Sequence, residues 1–406
     1  QFNLPVGRFE GVELVIARMV GHSYIMDAAR CVTTTAIDQG ARPAVPAGIL
    51  KANVTELGRR VGNDAMDVQG GKGIMLGPNN YLGRAYQSIP IAITVEGANL
   101  LTRNLIIFGQ GAMRCHPFVL KEMTAAHDPD HARGMRDFDR ALFGHIGFTI
   151  SNAVRAFVMA LTFARFEKVP DTGAARRYYQ HIERFSASFA FLTDVAMLSL
   201  GGYLKKKEGL SARLGDALSA MYFASMVLKH HEDRGRPEAE LPLVEWCCRD
   251  LLYQTQEQLH LVLRNFPNRW VAALVRLCIF PRGLTYFAPA DRLARQVADL
   301  VLIDSDARTR IARSIYATPS PTNPLGLLQQ ALELAPNAEL LEQRIRNEGV
   351  KTGRITALDL AGQIDQAEQL GLLAADEARF MRDYDARVMA LVNVDDFAPG
   401  EIGTRH

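Results

Sequence analysis

The sequence has 406 residues, 48% hydrophobic and 22% charged, with 46 Lys and Arg against 44 Asp and Glu. A net charge of +2 supplies no basic excess for a nucleic-acid surface, and no uninterrupted apolar run reaches the roughly 18–20 residues of a membrane span. The five cysteines, Cys31, Cys115, Cys247, Cys248 and Cys278, form no CxxC pattern, which predicts reduced thiols in a cytoplasmic-type protein.

The opening Gln1-Phe2-Asn3-Leu4-Pro5 carries no initiator Met and no signal pattern, as expected for the later portion of a longer polypeptide. Val12, Val15, Ile16, Met19, Val20 and Tyr24 recur at helical spacing and predict one buried stripe of a long helix, ended by Gly40, Arg42 and Pro43. A second helix starts near Pro46 and runs to about Gly70. A turn-rich stretch follows, Gly70-Gly71-Lys72-Gly73 through Gly77-Pro78-Asn79-Asn80. The third long helix is expected to begin near Glu96, with Leu101, Leu105 and Phe108 on one side. Residues 126–136, with Asp128-Pro129-Asp130 and Gly134, read as a linker. Beyond it Phe138, Leu142, Ile146, Ile150 and Val154 step by four, and Phe157 and Leu161 continue that stripe. Further long helices are predicted at roughly 172–206, 210–233 and 242–265, then shorter ones split by Pro281, Pro289, Pro319, Pro321 and Pro324. The end, 395–406, is expected to fray. The fold class predicted is all-α: a helical bundle over 1–125, a second bundle-like extension over 136–392, and a tail over 393–406.

Several common constellations are missing: there is no GxxxxGK[ST], HExxH or GxSxG. Gly109-Gln110-Gly111 lies inside a helical stretch and reads as packing. His230-His231 and Cys247-Cys248 are adjacent pairs whose side chains diverge by about 100° on a helix, so neither makes a chelating face and no metal is expected. Lys205-Lys206-Lys207 reads as a solvated helix end. Ile91-Ala92-Ile93-Thr94-Val95-Glu96-Gly97-Ala98-Asn99 places a single carboxylate after an apolar run, with Thr94 able to cap and Glu96 in the first helical turn. Two readings stand: a carboxylate stabilised by the macrodipole, or a base in an apolar pocket whose desolvation raises its proton affinity.

Gln69-Gly70-Gly71-Lys72-Gly73-Ile74, followed by Val95-Glu96-Gly97-Ala98-Asn99 with Arg103 beyond, resembles the acyl-CoA dehydrogenase family. There a GG-x-G segment ends one helix and an EG[TA][SN]-x3-R segment opens the next. The opening as far as Phe9 is similar to the family's R-x-x-F-G-x-P-[IL] stretch, which starts its C-terminal helical domain. The whole chain, down to Asn393-Val394-Asp395-Asp396-Phe397, looks most like the large bacterial enzymes of fatty-acid β-oxidation.

The resemblance implies a flavin-dependent oxidation of a medium- or long-chain fatty acyl-CoA to the trans-2-enoyl-CoA. Glu96 would take the α-proton while FAD accepts the β-hydride. It assigns FAD contacts to Phe2, Gly70, Gly71 and Asn99 and substrate contact to Gly97. Asp67 stands where many members have Gln, and Ala98 where Thr is frequent. An electron-transferring flavoprotein as acceptor, a homo-oligomer of at least two chains, and a location in the cytoplasm or at the inner-membrane periphery follow from the same likeness. Because family members hold much of the flavin and substrate sites in preceding domains, this chain alone is expected to bind FAD poorly and to be inactive. The alternative is a helical docking or dimerisation module, or a superfamily member without acyl-CoA activity.

Overall fold

Helices supply nearly all the regular structure, and no strand occurs among the described residues, so the all-α expectation holds. The computed structural model describes residues 4–77, 79–170, 173–320, 322–398 and 400–401; Phe2 lies outside them. In chain order the first helices are α1 (Glu10–Asp38), α2 (Ala44–Gln69), α3 (Gly71–Ile74), α4 (Gly83–Thr94) and α5 (Asn99–Leu101). A π-helical turn, Thr102–Ile107, joins α5 to α6 (Phe108–Cys115). Next come α7 (Val119–Ala126), α8 (His131–Thr162), α9 (Arg176–Leu200), α10 (Glu208–Asp233), α11 (Leu241–Arg264) and α12 (Arg269–Ile279). The series ends with α13 (Asp291–Leu302), α14 (Asp306–Ala312), α15 (Pro324–Arg344), α16 (Leu360–Gln369) and α17 (Ala375–Val392). Two compact units result: Gln1–Val61 with Ile89–Ala298, and Gly62–Ser88 with Asp299–His406.

The first unit is built on α9, α10, α11 and α12, whose Phe185, Leu192, Leu214, Leu252, Leu259 and Val275 share one core. Helix α1 packs on α10 and α11, but with a different face from the one expected. Ala17, Gly21, Ile25, Ala28 and Ala29 are buried with Tyr24, whereas Val12, Val15, Ile16, Met19 and Val20 are only half-buried. Small residues let the helices approach closely: a Cβ on Gly21 would lie 2.2 Å from the Trp246 ring. Volume rather than hydrophobicity selects the buried face here, which apolar periodicity cannot report.

The expected linker is largely helix. Asp130 accepts hydrogen bonds from Ala132 N and Arg133 N, both 3.1 Å, and so caps α8. Along α8 the stripe Leu142, Ile146, Ile150, Val154, Phe157 and Leu161 is real but points outward, with Ile150 60% exposed. The inward face is Ala141, Asn152, Ala156, Met159 and Ala160. Helix α8 is therefore apolar nearly all round along its second half. The third long helix behaves similarly: Leu101 and Leu105 are exposed, while Thr102, Ile107 and Phe108 are buried. By length and hydropathy two helical stretches, His131–Thr162 and Gly173–Lys206, suffice to cross a membrane. The criterion of an uninterrupted apolar run missed both, because polar residues interrupt them; the second buries Arg184 and Asp194.

The second unit has its own core of Ala338, Leu341, Ile345, Ile355, Ile364, Leu373 and Met381. Its glycine-rich segment is tied to the C-terminal stretch: Lys72 Nζ donates to Leu391 O, and Asn79 N donates to Asp395 Oδ1 at 2.9 Å. Asp395 is buried, so fraying does not begin there. Asn80 Oδ1 accepts from Leu82 N (3.1 Å) and Gly83 N (2.8 Å), which starts α4.

Candidate active site at the Glu96 turn

Glu96 lies between two helices rather than inside one. α4 ends at Thr94, Glu96 takes φ 56° and Gly97 φ 98°, and α5 starts at Asn99. The arrangement with Thr94 as cap does not form: its hydroxyl donates back to Pro90 O (3.1 Å) and Ile91 O (3.2 Å). The apolar run before Glu96 is itself helical, with Pro90 inside it. Gly97, free of the Cβ clash at positive φ, then breaks the helix. Glu96 is exposed, as are Ile91, Val95 and Leu100 around it in sequence. Among the described residues, the N–H groups of Glu96 and Ala98 donate to no acceptor within the chain, which leaves two donors for a ligand oxygen.

The turn is fastened to α2. Lys51 Nζ donates to Gly97 O at 2.6 Å, Asn99 Oδ1 at 2.7 Å and Ile93 O at 3.3 Å. Asn99, buried, turns its Nδ2 to Thr55 Oγ1 (2.8 Å), Ala52 O (3.2 Å) and Glu56 Oε1 (3.2 Å). Both donors of the Asn99 amide are thus used inside the chain. Arg103, the motif arginine, forms a two-pronged pair with Asp216 of α10: Nε to Oδ1 at 2.8 Å and NH2 to Oδ2 at 2.5 Å. That pair belongs to structure, coupling the motif helix to the following bundle.

Beside this pair is a cavity of about 420 Å³ whose polar lining includes His22, Glu56, Arg60, Asn99, Asp216 and Asp250. Burial pushes the Asp250 carboxyl up to about 6, against the opposing effects of its hydrogen bond from Gln254 and of the Arg60 charge. Sequence reasoning singled out neither Lys51, Asp216 nor Asp250. Each is an isolated polar residue on a long helix, where only the packing partner gives it a role.

The remaining candidates separate as follows. Glu96, Gly97 and Asn99 share one turn. Gly70 (φ 66°) and Gly71 belong to the other compact unit, and nothing lies within 4 Å of where their Cβ atoms would be. Phe2 falls outside the described residues. His230 and His231 are buried on α10, and burial pushes both the Cys247 and Cys248 thiols up, as suits inert core cysteines. Lys205 and Lys206 are exposed, and Lys207 sits 5.2 Å from the Tyr203 ring centroid.

A cluster that sequence spacing did not suggest joins the 116 turn to α7, α8 and α9. The candidate ligand atoms of His116, His145 and Asp194 lie within 4.8 Å of one another. Asp194 Oδ1 meets His116 Nε2 at 2.9 Å and His145 Nε2 at 3.4 Å. Thr149 donates to Asp194 Oδ2, and His145 Nδ1 meets Glu122 Oε1, both at 2.8 Å. His116 Nδ1 accepts from Phe118 N and Val119 N, both at 3.2 Å. A neutral imidazole that accepts at Nδ1 carries its proton on Nε2. His116 therefore donates to Asp194 and has no Nε2 lone pair for a metal; the cluster is a hydrogen-bonded knot.

Family comparison matches this architecture. The model of the acyl-CoA dehydrogenase C-terminal domain covers residues 1–109, and that of the bacterial-type acyl-CoA dehydrogenase C-terminal region covers residues 113–397. The chain belongs to the acyl-CoA dehydrogenase family. Among solved structures, an acyl-CoA dehydrogenase from Bacillus anthracis complexed with FAD is similar in fold at 15% identity and a TM-score of 0.54. The match covers 74% of this chain and 50% of that one, so the chain spans about half the length of that relative.

Proposed function

We propose that the protein is the C-terminal part of a flavin-dependent acyl-CoA dehydrogenase that oxidises a medium- or long-chain fatty acyl-CoA to the trans-2-enoyl-CoA, with Glu96 as the α-proton base. The observation that carries this reading is an exposed carboxylate on a left-handed turn, with the N–H groups of Glu96 and Ala98 without internal acceptors. Left-handed backbone at a non-glycine residue persists only where the surroundings enforce it, and such strain concentrates at functional sites.

In this reading Glu96 removes the α-proton, and the N–H groups of the turn are available to stabilise negative charge developing on the thioester oxygen. Gly97 adds no side chain between that backbone and the substrate. FAD, when bound, supplies the acceptor for the hydrogen that leaves the β-carbon with its electron pair. Gly70 and Gly71 suit a cofactor that approaches the backbone closely, since the space at their Cβ positions is open. Asn99 does not suit the contact assigned to it, because its amide donors are committed to α2. Burial of the carboxylate against apolar groups would come from beyond this chain's own residues, since Ile91 and Val95 leave Glu96 exposed. An electron-transferring flavoprotein as acceptor, assembly into a homo-oligomer, and a cytoplasmic or membrane-peripheral location complete the proposal.

The test is flavin bleaching on adding a long-chain acyl-CoA to the whole flavin-loaded enzyme of which this chain is the C-terminal part, wild type beside Glu96→Gln. Bleaching in the wild type, lost in a Gln variant that keeps its flavin, is the expected result. Bleaching that survives the substitution removes Glu96 as the base, and a flavin-loaded wild type that never bleaches removes the reaction.

A further inference from the structure

Lys51 lies on α2, far from Glu96 in sequence, yet its ammonium brackets the Glu96 turn. Ile93 O, at 3.3 Å, belongs to the last turn of α4; Gly97 O (2.6 Å) and Asn99 Oδ1 (2.7 Å) lie on the other side of Glu96. An ammonium has three N–H donors and no acceptor, so this turn takes up all of them. No contact is to the Glu96 carboxylate itself. Asn99 is in turn anchored to Ala52, next to Lys51, and to Thr55 and Glu56, about one helical turn further along α2. The chain from 93 to 99 is therefore clasped at both ends by one face of α2. Between those ends stands Glu96 at φ 56°, a left-handed backbone that is costly for a residue with a Cβ, beside Gly97, which adopts its φ of 98° freely.

We propose that Lys51 is a positioning residue for Glu96: it fixes the direction in which the left-handed turn presents the carboxylate and the adjoining N–H groups. The inference rests on the reading of Glu96 as the α-proton base. A methionine at position 51 has similar length and no donors, and would release Ile93 O, Gly97 O and the Asn99 side chain together. An arginine keeps the charge but spreads its donors over a planar fork, so it serves part of the set.

The experiment uses Lys51→Met and Lys51→Arg in the whole flavin-loaded enzyme of which this chain is the C-terminal part, with Glu96→Gln alongside. Amide hydrogen exchange at 93–95, the hydrogen-bonded amides that lead into the turn, is read together with the rate and half-saturation of flavin bleaching by an acyl-CoA. In Lys51→Met, exchange at these amides is expected to accelerate about tenfold or more while α9–α11 keep their protection. Bleaching should slow roughly 10- to 100-fold at unchanged half-saturation, the signature of a displaced base rather than lost binding. Lys51→Arg should fall between wild type and Met in both readouts, and carries the test if the Met variant does not fold. Unchanged exchange at these amides overturns the proposal, as does faster exchange with wild-type bleaching. If Glu96→Gln still bleaches, the base assignment is what fails, and exchange alone then decides whether Lys51 holds the turn.

Discussion

Replacing Asp250 with Asn should stabilise the protein at pH 8 and do much less at pH 4.5. In the folded chain burial raises the Asp250 carboxyl from its ordinary 3.8 to about 6, so the folded state prefers this group protonated. Below pH 4 the carboxyl is neutral in folded and unfolded chains alike and costs nothing. As pH rises through 4 to 6 the unfolded chain gives up the proton first, and folding stability falls; above 6 the full penalty is in place. The interval from 3.8 to about 6 corresponds to roughly 3 kcal/mol at 1.36 kcal/mol per tenfold change in proton affinity. Asp250 keeps some access to solvent through the cavity, which reduces the expected gain at pH 8 to about 1–2 kcal/mol. Asparagine retains an oxygen for the hydrogen bond that Gln254 Nε2 donates at 2.6 Å, so loss of that bond does not mask the effect. Urea titration followed by Trp246 fluorescence is a suitable assay, because Trp246 is buried one turn away on the same helix, α11. A stability difference between variant and wild type that stays constant from pH 4.5 to pH 8 would refute the reasoning.

Other expectations concern packing. Gly21→Ala forces a Cβ to within 2.2 Å of the Trp246 ring, and the overpacking should cost about 1–3 kcal/mol, read as a lower melting temperature with altered Trp246 emission; Gly11→Ala, with nothing within 4 Å, should be neutral or stabilising. On α8, Ile150→Ser should change stability by no more than about 0.5 kcal/mol, whereas Ala156→Leu, at a fully buried position, should cost about 1–3 kcal/mol. Equal effects in thermal unfolding would mean that the outward face is covered within this chain. For the histidine knot, nitrogen-15 spectra should show His116 as the neutral Nε2–H tautomer, and added zinc should leave the melting temperature unchanged; a zinc-dependent rise would show that a metal can displace the hydrogen-bonded arrangement.

Sequence periodicity alone determined that the chain is helical, and it located the long helices at 172–206, 210–233 and 242–265 to within a few residues of α9, α10 and α11 with their flanking turns. Helical spacing is local, so a single sequence carries it. The Glu96 motif was legible for a related reason: a Glu–Gly pair followed at a fixed distance by Arg is a linear pattern. Which face each helix buries was not legible. On α1 the buried face is rich in Ala and Gly, and at Gly21 the ring of Trp246, more than 200 residues later, fills the space a side chain would need. On α8 the strongest apolar stripe is the exposed one. Apolar spacing reports that a face avoids water, not what covers it. The conformation of Glu96 also depended on tertiary structure. Local rules put it in a first helical turn under a Thr94 cap, but three donors from Lys51 make a left-handed turn tenable instead. Lys51, Asp216 and Asp250 have no sequence signature because a polar residue on a helix acquires a function only from the groups that folding brings to it.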